Sequence, residues 1–271
     1  METIDYSLTL APETPGMLLA GGVLALSVFL VMFIIIRKRW KVRVLPFFMA
    51  LVVFSLVRIF VMLVESALML VPSIDAAFEY NATALSMIDC ILAAVGYMAA
   101  RWAVARILEG RFDRQGDVLI AGLGLGFGDA LLYGFTILSN YVWCIAVDNG
   151  NLAQAFEGLS ESDALTTFQS LSDLFYAPSV LWLLMGVSAA IDIVLHVLLT
   201  TVIYGVVKSY VPSMWHAICT IIYAAVIIPF QIYDSTSLTS IGICFAVKLV
   251  IFAAAAYYIS KNIFKNIQYE S

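Results

Sequence analysis

Apolar residues run along this chain in blocks of about 20, separated by short polar stretches, and that length matches a hydrocarbon core about 30 Å thick. Seven blocks stand out, at residues 17–36, 44–71, 82–108, 118–147, 178–207, 213–230 and 237–259. The pattern predicts an all-α polytopic membrane protein of about seven transmembrane helices, forming one integral membrane domain over residues 1–271. The first block is expected to be a true span rather than a signal peptide. It is too long, the segment before it (METIDYSLTLAPETPG) is acidic, and its basic cluster follows it. Between the fourth and fifth blocks, the acids Asp148, Glu157, Glu161, Asp163 and Asp173 alternate with apolar residues at helical spacing, which predicts a short interfacial helix.

Charge then orients the chain. Arg37, Lys38, Arg39, Lys41 and Arg43 follow the first block; Arg106, Arg111 and Arg114 follow the third; Lys208 follows the fifth; Lys261 and Lys265 follow the seventh. The alternate connections, 1–16, 72–81, 148–177 and 231–236, hold no lysine or arginine. Cytoplasmic loops collect these residues, so the N-terminus is predicted outside and the C-terminus in the cytoplasm of a multi-pass plasma-membrane protein. Only 12% of residues are charged, against about 25% in soluble domains, which excludes a soluble fold. The net charge of −5 leaves no general basic surface, so nucleic acid is excluded and the lipid bilayer is the expected partner. Cys90, Cys144, Cys219 and Cys244 have neither metal-site nor disulfide spacing and are expected to pack apolar interiors. The sequon at Asn81 to Thr83 is expected to be a chance occurrence.

Ionisable residues within hydrocarbon are costly, so each is a candidate site. They are Arg58 and Glu65 in the second block, Asp89 and Arg101 in the third, Asp129 in the fourth, Asp192 and His196 in the fifth, His216 at the start of the sixth and Lys248 in the seventh. Ser188, Asp192, His196 and Thr200 recur every fourth residue and share one helix face. That stripe is either an interhelical hydrogen-bond seam or a site lining. Counting about 1.5 Å per residue from the cytoplasmic ends sets Tyr97, Asp129 and His196 at one depth, with Arg101 and His216 nearer the cytoplasm. A site at that depth is expected to open towards the cytoplasmic side. Asp192 is expected to find its partner on the fourth or sixth span, Lys248 to snorkel or to pair with Glu65 or another acid, and Arg58 to reach the nearer interface. The pairs Gly122 with Gly126 and Gly124 with Gly128 read as helix-packing surfaces rather than a phosphate loop, since no strand precedes them and no lysine follows.

The order of the segments RKRWKVRVLPFFMALVVF, GLGLGFGDALLYG, GVSAAIDIVLHVLLTTVIYGV and WHAICTIIYAAVIIP resembles the YhfC-type membrane peptidases. Those are relatives of the CAAX-processing and bacteriocin-immunity intramembrane proteases and, more distantly, of the seven-span scaffold subunit of γ-secretase. The resemblance implies a site of E-E-x-x-R on one helix, G-x-G-H-G-x-x-E on the next and a histidine on each of two later helices. Here Tyr97 and Met98 stand where the glutamates are expected and Leu125 where the first histidine is expected. Ser188 and Ala189 replace a further E-R pair, and Asp129 shortens the second motif's glutamate. Arg101, Asp129, His196 and His216 carry over. Neither tyrosine nor methionine can serve as the missing base at neutral pH. The expectation is therefore a non-catalytic, pseudoprotease-like protein binding a partner helix, a lipid or a small ligand in its cavity. The alternatives are a peptidase rearranged around Asp129, Asp192 and His196, and a transport or substrate-capture subunit of a membrane complex. No cofactor is expected, although Asp129, Asp192 and His196 are of the type that could hold a divalent metal.

Overall fold

A computed structural model describes residues 8–71, 74, 81–150, 152 and 156–269. Much of the connection 72–80, the side chains of Glu161 and Asp173, and residues 1–7 lie outside the described residues. The described chain is helical throughout: α1 (Thr14–Trp40), α2 (Leu45–Met69), α3 (Ala82–Leu108), α4 (Gln115–Asp148), α5 (Glu161–Tyr176), α6 (Val180–Val207), α7 (Trp215–Ile227) and α8 (Leu238–Tyr258). All but α5 and α7 are long and apolar enough to cross a membrane, so six helices meet that standard among the described residues.

Local chemistry sets the ends. Proline occupies the first turns of α1 and α2, where a missing N–H costs nothing. Side-chain oxygens of Asn81, Ser160 and Ser237 cap α3, α5 and α8. The sequon's asparagine therefore serves as a helix cap. The sixth predicted block is shorter than a full span, because Pro229 cannot continue α7, which ends in a 3-10 turn at Ile228–Phe230. Sixteen residues rise only about 24 Å, short of the roughly 30 Å core.

The central helix is α6, buried along most of its length. It is enclosed by α1, α3, α4, α7 and α8, while α2 packs outside on α4 and α3. α1 approaches α6 backbone to backbone, since a Cβ on Gly21 or Gly186 would overlap the other helix's main chain. On α4, Gly122 and Gly126 face α6, where a Cβ would lie 2.8 Å from Val197 Cα and 3.0 Å from Ile193 Cα respectively. Gly124 and Gly128 face Phe47 and Phe54 of α2. The two interleaved glycine pairs thus serve two different neighbours. The connection between α4 and α6 carries the amphipathic α5, which buries Ala164, Leu171 and Phe175 with Leu18, Ile137 and Trp182. Cys90, Cys144 and Cys219 are buried free thiols and Cys244 is partly exposed.

The basic end of the bundle is tied at Asp113, in the connection between α3 and α4. Tyr204 donates to its carboxylate at 2.8 Å, Lys208 at 3.0 Å and the Gly110 N–H at 2.9 Å. Burial pushes this carboxyl up, but the Lys208, Tyr204 and Gly110 hydrogen bonds outweigh burial and hold it below the usual carboxylate range. A depressed native pKa adds stability above the unfolded value of about 4, and that stability is lost as pH falls through the native value. Asp113→Asn is accordingly expected to lower the melting temperature at neutral pH and to weaken its dependence on pH below about 4, as read by melting curves in detergent.

Candidate functional site

Four helices bring one polar cluster together at mid-depth. The Tyr97 hydroxyl on α3 donates to Asp129 Oδ1 on α4 at 3.2 Å, and Asp129 Oδ2 lies 3.8 Å from His196 Nε2 on α6. One turn below Tyr97, Arg101 donates through its NH2 to His196 Nδ1 at 3.2 Å. Tyr223 of α7 closes the ring, its hydroxyl 3.4 Å from His196 Nε2 and its face 4.5 Å from the Arg101 guanidinium carbon. A guanidinium has no acceptor, so His196 Nδ1 must be the acceptor in that bond, and the ring hydrogen belongs on Nε2. Both His196 and Arg101 are fully buried. The Arg101 Nε and NH1 and the Thr200 hydroxyl, one turn below His196, find no hydrogen-bond partner among the described residues.

Above this cluster, towards the end away from the basic loops, lies a cavity of about 420 Å³. Helical register arranges its walls in layers one turn, about 5.4 Å, apart. Tyr97, Asp129 and Tyr223 form the floor; Arg58, Ala93, Tyr133 and Asp192 stand a turn above; Asp89, Cys90, Thr136, Ser188 and Phe230 stand higher. Lys248 reaches in from α8, almost fully buried, and donates to Ser188 Oγ at 2.6 Å and Asp192 Oδ2 at 2.8 Å. The second oxygen of Asp192 has no partner among the described residues. A smaller cavity of about 290 Å³ shares Thr136, Met185 and Tyr233 with the first and extends beneath Ser170 of α5.

The candidates therefore separate. Tyr97, Arg101, Asp129 and His196 come together, and Asp192 joins them as a cavity wall. His216 does not: it sits at the start of α7, outside the cavity lining, and Tyr223 two turns further along that helix touches His196 instead. Tyr223 went unmarked because it carries no charge, although a seven-residue spacing from His216 puts it on the same helix face. The expected partner of Asp192 on α4 or α7 is corrected to Lys248 on α8; Lys248 itself pairs with another acid, one of the outcomes expected of it, and neither snorkels nor reaches Glu65. Arg58 lines the cavity rather than reaching an interface. The cavity opens away from the basic end, contrary to the expected cytoplasmic opening, because its lining residues lie in the opposite halves of α3, α4, α6 and α7. Met98 packs into the core, Leu125 is buried, and Ala189 lines the cavity beside Ser188.

Among the described residues, no three His, Cys, Asp or Glu side chains stand close enough together to hold a metal ion. Asp129, Asp192 and His196 do not form a ligand set, since Lys248 occupies one Asp192 oxygen and Arg101 occupies His196 Nδ1. Comparison with protein families, with curated proteins and with solved structures returns no match.

Proposed function

We propose that this is a multi-pass protein of the cell membrane that performs no bond chemistry and binds a ligand in its intramembrane cavity, on a scaffold like that of the YhfC-type peptidases. The observation that carries this reading is the engagement of His196. Its Nδ1 lone pair is taken by Arg101, its Nε2 carries the hydrogen, and the ring is sealed from solvent. A general base needs a free lone pair within reach of water, and this imidazole has none. The cavity above it, by contrast, combines aromatic walls with a few placed polar groups in the volume range of ligand sites.

Purified protein is expected to leave model transmembrane substrates uncut, while His196→Ala and Asp129→Ala lower its thermal stability. Wild-type cleavage that His196→Ala abolishes would overturn the reading in favour of a peptidase rearranged around Asp129, Asp192 and His196.

The proposal includes seven crossings, with the N-terminus outside and the C-terminus cytoplasmic. Ile241 packs with Leu181 near the starts of α8 and α6, and Tyr269, in the segment that follows α8 and its closing turns, stacks on Tyr204 near the end of α6, so these helices run parallel. That leaves α7 to traverse the bundle between them despite its short helix. The basic connections all fall at one end, which supports its cytoplasmic placement. With other reactive thiols removed, Thr236→Cys is expected to react with an impermeant maleimide on intact cells and Lys38→Cys only after permeabilisation. The reverse pattern would refute the orientation.

A further inference from the structure

We infer that the cavity takes the headgroup of a zwitterionic amine-bearing phospholipid, its phosphate on Arg58 and its ammonium on Asp129 and Asp192, entering sideways between α2 and α4. This rests on the proposed role of the cavity as a ligand site.

Charge distribution is the first support. Three carboxylates line the cavity, Asp89, Asp129 and Asp192, with Glu65 close to Arg58 and Asp89. Arg58 stands in the lining, Lys248 on Asp192, and Arg101 behind Asp129 through His196. Charges of both signs thus face or flank one low-dielectric space, so a zwitterion meets an opposite charge at each end.

Unused bonding capacity is the second. Arg58 makes no hydrogen bond or ion pair with a described residue, although Glu65 and Asp89 lie close enough to feel its charge. A guanidinium pointing into a membrane cavity is suited to bidentate contact with phosphate. Its level is fixed by Phe54, which stacks on Tyr97 at 5.3 Å, so Arg58 stands one turn above the floor. Asp192, one turn before His196, stands in the same layer, its side chain 16% exposed and its buried Oδ1 without a partner among the described residues. Below it Asp129 keeps 30% of its side chain exposed, and the partly exposed Tyr133 puts an aromatic ring in the cavity wall, a kind of surface that favours an ammonium group.

The route in is the third, and it favours a lipid over a soluble zwitterion. Phe54 of α2 packs against Gly128 of α4, while Val57 and Val61, further along α2, lie against Gly96 of α3. The outer half of α4 is left uncovered on that side. Leu132 both lines the cavity and is 42% exposed on the lipid-facing wall, with Phe135 exposed beside it. An acyl chain leaving the cavity there would lie on apolar surface.

The test follows thermal melting of the full chain in mild detergent as four probes are added: dioleoyl phosphatidylethanolamine, anionic dioleoyl phosphatidylglycerol, a cationic dioleoyl trimethylammonium lipid, and soluble phosphoethanolamine. The ethanolamine lipid is expected to raise the melting temperature saturably at concentrations roughly tenfold below any other probe. Arg58→Gln is expected to raise the concentration needed roughly tenfold, and Arg58→Lys to recover part of the loss. Equal response to either singly charged lipid overturns the zwitterion; equal response to phosphoethanolamine overturns the lipid source. An undiminished response in Arg58→Gln overturns the phosphate assignment, and no response to any probe overturns the inference. The wider reading is judged separately by native mass spectrometry. A bound species of any class retained by wild type and lost in Ala189→Trp, whose indole fills the cavity, supports that reading; its absence overturns it.

Discussion

Lys248→Met is expected to destabilise the folded protein by about 3–5 kcal/mol, the range seen when one member of a buried ion pair is removed and the other is left behind. Lys248 is 2% exposed and is the only described partner of the Asp192 carboxylate, while it also donates to Ser188. Its removal strands a carboxylate with one oxygen already unpartnered. Methionine matches the length of the stem, so volume is largely kept, and the ammonium's 5.9 Å approach to the Phe230 ring is lost with the charge. The double variant Lys248→Met with Asp192→Leu removes both charges and is expected to recover most of the stability, because a buried pair replaced by apolar groups is often neutral. Reversible unfolding in mixed micelles measures both. A single variant as stable as wild type would show that Asp192 does not depend on Lys248.

The glycine variants rank next, and their order is set by what each new methyl meets. Gly186→Ala and Gly124→Ala place a Cβ into main-chain atoms of Gly21 and of Phe47. Backbone cannot rotate away as a side chain can, so whole helices must separate, at a cost of about 1–3 kcal/mol each. Gly134→Ala, on the same helix as Gly124, meets nothing within 4 Å and is expected to stabilise by up to about 1 kcal/mol through helix propensity. Melting temperatures that fall for the first two and hold or rise for the third would fit. A fall at Gly134 equal to that at Gly124 would mean that close approach is not what these glycines provide.

Membrane thickness made the long helices legible in the sequence, because a fixed hydrocarbon depth imposes a fixed run length. Pro229 marks the departure, ending α7 early within a block that composition alone extends to Phe230. Helical register set Tyr97, Asp129 and His196 at one depth, and the structure brings these three into contact. Depth along the membrane normal says nothing of azimuth, however. That is why Lys248, 56 residues from Asp192, could not be assigned its partner. The direction of the cavity was hidden for a related reason: it depends on where α2 leaves α4 for α3, which is a property of helix divergence. Tyr223 was concealed among 13 tyrosines, since nothing in one sequence distinguishes a phenol that touches a buried imidazole from one that packs on lipid.

The central position of α6 bears on how the chain is made. Synthesis proceeds from the N-terminus, so α1, α3 and α4 leave the ribosome before residue 180, where their common neighbour begins. Until then Gly21, Gly122 and Gly126 face a vacancy that later holds α6, and Arg101 has no imidazole to bond. Contacts between distant segments form late and slowly. Three spans, α1, α3 and α4, must therefore wait in the bilayer with polar or close-packing faces unmatched, which makes the arrival of α6 the step at which this bundle becomes one body.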